Sequence, residues 1–186
     1  MVALPKTKMN VPQFFDWWAH QADGERFELV DGVVVMMGRD RAGHNLAKLR
    51  AANALTSAIR AAGIDCQAFV DGMGVSPDNR NYRLPDAVVN CGPIDLSDAV
   101  LPNPIVAVEI VSPRSEDRDA NEKLYDYFAI GSLRHYLVAY VERGFVVHHR
   151  RDDEGEIHTS FVKSGSVGLH PPGLELSIDA LLGGEA

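Results

Sequence analysis

The sequence predicts an α/β fold in which a mixed central β-sheet is flanked by helices, with β-hairpins at the ends. Three observations lead there: short β-branched runs bounded by Pro and Gly, stretches of helix formers closed by glycine, and Asp-Gly pairs where strands turn back. At 186 residues the chain is of ordinary single-domain length, so residues 1–186 are expected to fold as one unit.

Val11, Phe14, Phe15 and Trp18 recur at helical spacing behind Asn10, a good N-cap, with Pro12 tolerated in the first turn. The Trp17-Trp18 pair reads as apolar anchorage for this helix rather than a base-stacking platform. Arg26 to Val30 and Val33 to Met37 flank Asp31-Gly32, a two-residue hairpin signal. Residues from about His44 to Ala62 favour a long helix, with Ala47, Ala51, Leu55, Ala58 and Ala62 repeating along one face and Gly63 as its stop. Cys66 to Val70 and Met73 to Ser76 surround a second Asp-Gly pair, so a second hairpin is expected there.

Leu84 to Val89 and Ile105 to Val111 have the short apolar character of central strands buried on both faces. Ser112-Pro113 ends the second, and a polar helix should run from about Glu116 to Ile130, closed by Gly131. The strand His135 to Val141 comes next. Phe145 to Arg150 and Glu156 to Val162 then read as antiparallel strands joined by Asp152-Asp153-Glu154-Gly155, with a last helical turn at Ile178 to Leu182 behind Ser177.

Composition narrows the function classes. Cys66 and Cys91 have neither zinc-ligand spacing nor the density of a secreted disulfide scaffold, so they are read as free thiols in a reducing, cytoplasmic compartment. Apolar stretches are broken by charge well short of a membrane span, and no export signal is visible. The formal net charge of −8 opposes general nucleic-acid affinity, although Arg80, Arg83, Arg114 and Arg118 are close enough in sequence to form a local basic rim. Phosphate-binding glycine loops, nucleophile elbows and His-rich zinc motifs are absent from the sequence.

A carboxylate among apolar strand residues is costly unless it is paired or binds a metal. Asp86 heads Ala87-Val88-Val89, and Glu109 interrupts an otherwise apolar run from Ile105 to Val111. If the two strands are neighbours, the acids meet at one point of the sheet. Such a sparse oxygen set suits Mg²⁺ or Mn²⁺ better than zinc. The plainer alternative for each acid is a solvated strand end.

Phe27-Glu28-Leu29-Val30-Asp31-Gly32, His44 opening a helix, Pro85-Asp86, Val108-Glu109-Ile110-Val111-Ser112-Pro113, and Asp119, Lys123 and Tyr127 together resemble the Uma family of restriction endonuclease-like proteins, part of the PD-(D/E)XK nuclease superfamily. The resemblance runs from about Phe27 to Val147. It implies a restriction endonuclease-like sheet, with Asp86 and Glu109 holding Mg²⁺ or Mn²⁺ and the Ile110 carbonyl as a further ligand. Val111 stands where the superfamily has its lysine, and the resembled family supplies that amine from the following helix, here Lys123.

Asp119, Lys123 and Tyr127, at i, i+4 and i+8, share one helix face that can carry the amine toward the acids; an exposed Asp–Lys helical pair is the plainer alternative. Similar family positions make Glu28 another carboxylate at the metal or its water, against an ordinary hairpin glutamate. His44 ranks lower, as a phosphate contact or proton carrier against a capping or packing histidine. Tyr125 and Tyr127 read as packing residues. Where the family shows a tryptophan and an acid after Gly131, this chain has His135-Tyr136-Leu137-Val138.

The resemblance therefore implies an endodeoxyribonuclease that hydrolyses DNA phosphodiesters, with a homodimer as the common superfamily assembly. A catalytically inactive binding or assembly module on the nuclease fold is the competing class, because a fold does not dictate an activity.

Overall fold

Asn10 caps the first helix through a reciprocal pair: its side chain accepts from the Gln13 N–H at 2.9 Å while Gln13 Oε1 accepts from the Asn10 N–H at 3.0 Å. The structure, a computed structural model, describes residues 4–111 and 120–184. Its helices are α1 (Val11–Trp18), α2 (Ala42–Ala62), α3 (Ala120–Ala129) and α4 (Ile178–Leu182). Its strands are β1 (Phe27–Val30), β2 (Val33–Met36), β3 (Cys66–Val70), β4 (Val75–Asp78), β5 (Asn81–Arg83), β6 (Ala87–Cys91), β7 (Pro104–Ile110), β8 (His135–Tyr140), β9 (Phe145–Arg151), β10 (Ile157–Val162), β11 (Ser166–Leu169) and β12 (Leu174–Ser177).

The mixed α/β architecture matches the sequence expectation. The main sheet runs β10-β9-β8-β7-β6-β3; β7 and β8 are parallel and its other neighbours antiparallel. A parallel pair needs a crossover, and α3 lies on that connection. A second sheet runs β2-β1-β5-β4, and β11-β12 form a separate ribbon.

Alternation along the strands gives the main sheet two apolar faces. Ala87, Val89, Val106, Val108 and Ile110 pack with Ala47, Ala51, Leu55 and Ala58 of α2, a helix whose small residues permit close approach to the sheet. Ala62, expected on that apolar face, is exposed at the helix end. Val88, Ala107, Tyr136 and Val138 pack on the other face with Tyr127 of α3. Phe14, Phe27, Leu29 and Tyr82 form a further core, against which Trp17 and Trp18 pack as anchors.

Three expectations are corrected. The Asp71-Gly72 turn has the required positive φ values, 47° and 86°, but does not close a hairpin. β3 pairs with the apolar β6 over five residues, while β4 pairs with β5 in the second sheet. The predicted strand Leu84–Val89 is also divided: β5 ends at Arg83 and β6 begins at Ala87, so Leu84-Pro85-Asp86 links two sheets.

The third correction concerns the cysteines. Antiparallel register sets Cys66 directly opposite Cys91, with Cα atoms 4.0 Å apart, and the two sulfurs form a disulfide. Strand register, which spacing in the sequence does not reveal, brings them together. The free-thiol argument for a reducing compartment therefore falls away. Among the described residues, no helix is long and apolar enough to cross a membrane.

Candidate active site

Glu109 follows Val108 and precedes Ile110, both on the α2 face, so alternation turns its carboxylate toward α3. Two side chains one turn apart on α3 meet it there. Tyr127 Oη donates to Glu109 Oε1 at 2.5 Å, and Lys123 Nζ lies 3.0 Å from Oε2. Burial pushes the Glu109 carboxyl up to about 7; the Lys123 ammonium and Tyr127 hydroxyl oppose this, while Asp86 and Glu28 add to it.

Asp86 reaches the same region from the link between β5 and β6. Its Oδ2 accepts from the Ile110 N–H at 2.7 Å, which ties it to the residue after Glu109. Its Oδ1 lies 3.1 Å from Lys48 Nζ and 3.4 Å from His44 Nε2, both on α2. Burial raises the Asp86 carboxyl, yet the His44 contact, the Lys48 charge and the Ile110 N–H together hold it below the ordinary aspartate value. The same contact raises His44. The two acids are thus pushed in opposite directions.

Glu28 is buried on β1. It accepts from the Leu84 N–H at 3.0 Å and from Arg83 Nη1 at 3.1 Å, while Lys123 Nζ stands 4.0 Å from its Oε1. Arg83, expected in a basic rim, is instead 4% exposed and also held by Asp126, 2.6 Å from its Nη2. Arg80 is exposed; Arg114 and Arg118, like Asp119, lie outside the described residues.

All five side chains singled out from the sequence, Glu28, His44, Asp86, Glu109 and Lys123, belong to this linked set. Sequence reasoning missed Lys48, which touches Asp40, Asp71 and Asp86, and Asp126, which helps to hold Arg83. A signal for Lys48 existed: it interrupts the buried small-residue face of α2 between Ala47 and Ala51. Tyr127 does more than pack, since its hydroxyl serves Glu109. Tyr125, also expected to pack, is 79% exposed.

The donor chemistry fits a hard divalent cation. Asp86 and Glu109 offer anionic oxygens and leave positions for a backbone carbonyl, water and phosphate, the habit of Mg²⁺ and Mn²⁺. A different trio, Asp152, Glu156 and His158, brings its ligand atoms within 4.8 Å of one another. It lies at the β9–β10 turn, beyond the pairing of Arg150 with His135, whereas Glu109 pairs with Val138 toward the other end of β8. The trio and the Asp86–Glu109 pair therefore occupy opposite ends of the sheet.

The comparisons with known proteins bear on nearly the whole chain. An uncharacterized protein of Synechocystis sp. is 26% identical over 187 residues, covering 99% of this chain and 96% of that protein. A crystal structure from Anabaena variabilis, titled as a putative nuclease belonging to DUF820, superposes with a TM-score of 0.71 at 14% identity, covering 91% of this chain and 96% of that one. At that identity the likeness shows the fold. The Uma2 family profile, described as "Putative restriction endonuclease", matches residues 11–181, and this chain belongs to that family.

Proposed function

We propose that this chain is a Mg²⁺- or Mn²⁺-dependent endodeoxyribonuclease that hydrolyses phosphodiester bonds in DNA. The supporting observation is the 3.0 Å contact between Lys123 Nζ and Glu109 Oε2, made beside an Asp86 carboxylate tied to Ile110. Asp86, Glu109 and the Ile110 carbonyl would hold the cation. When bound, it stabilises negative charge on the phosphate and makes water a stronger acid.

The chain's own groups supply the remaining work. Lys123 orients the attacking water and offsets charge developing on the phosphate, the role for which its superfamily counterpart would extend from the Val111 position. Tyr127 fixes one Glu109 oxygen so that the other stays with Lys123. Glu28, held by Leu84 and Arg83, adds negative charge beside the lysine. His44, 22% exposed at its side chain, is accessible enough to donate to a phosphate oxygen. A double-strand cut needs two such centres, which a homodimer would provide.

Hydrolysis of supercoiled plasmid DNA with and without Mg²⁺ or Mn²⁺ tests this. Wild type should cut only with the metal, and Asp86→Ala and Lys123→Met should each lose about 100-fold in rate, the scale of removing one preorganised charge contact. Equal rates in all three proteins would defeat the catalytic assignment. The inactive binding module, which Val111 at the usual lysine position favours, would then be the better account.

A further inference from the structure

Lys48 is 1% exposed, and a buried ammonium is costly unless each of its donors is used. An ammonium has three N–H donors. Three carboxylates surround this one, with Asp40 Oδ2 at 2.7 Å, Asp71 Oδ1 at 2.9 Å and Asp86 Oδ1 at 3.1 Å. These contacts use the available donors, so Lys48 is poorly suited to meet a substrate phosphate directly.

The outer two acids are held in turn. Arg26, just before β1, contacts Asp40 at 3.0 Å through Nη2 and Asp71 through Nη1. Asp40 lies between β2 and α2, and Asp71 sits in the left-handed turn after β3. Segments far apart in sequence thus converge on one amine, whose remaining contact is Asp86. The charges are also arranged in opposition: Lys48 and Arg26, with His44 Nε2 at 3.7 Å from Asp40 and 3.4 Å from Asp86, face three carboxylates.

We propose that Lys48 is a positioning residue, pinned by Asp40 and Asp71, that fixes the orientation of Asp86 and sets the charge a divalent cation meets there. This inference rests on the metal-dependent hydrolysis proposed above. A bare lysine beside a metal ligand would repel the cation, and Asp40 and Asp71 cancel most of that repulsion. Lys48 can then hold Asp86 without opposing the ion.

Charge and position have different signatures in two variants. Asp40→Asn combined with Asp71→Asn leaves Lys48 uncompensated against Asp86, so Mn²⁺ affinity measured by calorimetry should weaken about tenfold. Lys48→Met removes the opposing charge but frees Asp86, so Mn²⁺ should bind at least as tightly as in wild type while plasmid cleavage at saturating Mn²⁺ falls about tenfold. A general loss of structure would not separate affinity from rate in this way.

Unchanged or tighter Mn²⁺ binding in the double variant overturns the proposal, as does a wild-type cleavage rate or weakened binding in Lys48→Met. If Lys48→Met fails to fold, the double variant decides alone, because both of its substitutions are at partly exposed side chains. If wild type cuts without loss in the double variant's affinity, only the role of Lys48 fails. If wild type binds no Mn²⁺, the metal-dependent function fails and the Lys48 proposal with it; if it binds without cutting, the double variant's affinity still decides.

Discussion

Burial sets the protonation of Glu109. Its carboxyl is pushed up to about 7 because water is excluded, even with Lys123 beside it. In the metal-free fold this raised value contributes stability below the ordinary carboxylate range, which is lost as pH rises through about 7. A cation needs the ionised form, so binding must release the proton wherever Glu109 still carries it. Mn²⁺ affinity should therefore be about tenfold weaker at pH 6 than at pH 8 by calorimetric titration. Glu109→Gln should bind weakly at both values and lose this dependence. Equal wild-type affinity at both pH values would contradict the account of Glu109.

At this scale the sequence was informative where a residue type conflicted with its surroundings. Asp86 and Glu109 stand out because acids rarely occupy β-branched runs without a reason. Lys123 stood out only through the family resemblance, since a lysine on a polar helix is ordinary. Lys48 does not stand out because lysine is also a good helix former, and its burial follows from how α2 lies on the sheet. Partners such as Asp40 and Asp71 are loop acids whose convergence depends on the tertiary fold.

Between elements, close packing imposes requirements that local patterns do not show. Gly74 precedes β4, and a Cβ built there would lie 2.1 Å from Cζ of Tyr82, whose ring packs among Phe14, Phe15 and Trp18. The ring is 1% exposed and has little room to yield. Gly74→Ala should cost about 1–3 kcal/mol, the usual range for overpacking a core, and lower the urea midpoint accordingly. An unchanged midpoint would show that the ring can move aside. The sequence marked the Asp31-Gly32 hairpin correctly because β1 and β2 are adjacent partners. It failed at Asp71-Gly72 because turn chemistry specifies a bend, whereas the partner strand is chosen by burial across the sheet.

Across the whole molecule, a buried histidine pair joins the main sheet to the β11–β12 ribbon. His135 Nε2 is 2.9 Å from the Pro171 carbonyl, which can only accept, so that nitrogen carries the proton. His135 Nδ1 must then accept from His148 Nε2–H at 2.9 Å. Burial drives His135 down to about 4, with His148 adding to the effect and the Pro171 carbonyl opposing it; burial also lowers His148 to about 4. Both rings are therefore neutral in the fold at neutral pH.

The unfolded chain takes up protons near 6.5 while the fold resists until about 4. The pair's contribution to stability should be fully present above pH 6.5 and fall on the order of 3 kcal/mol per ring as pH drops toward 4, against the opposite contribution of Glu109 in the same window. Urea midpoints measured across that window check the sign, and His135→Asn should flatten the slope. A midpoint that rises on acidification in wild type and not in the variant would contradict it. The −8 charge and broad apolar core were legible from composition, but this link depends on which loop packs over β8.

The central claim is that Asp86 and Glu109 hold one divalent cation beside Lys123. Crystals soaked in Mn²⁺ and measured for anomalous scattering test it most directly. The account predicts a peak bonded to oxygens of both acids, absent in Asp86→Ala; a peak only at the Asp152, Glu156 and His158 turn, or none on the β7 side at saturating Mn²⁺, would contradict it.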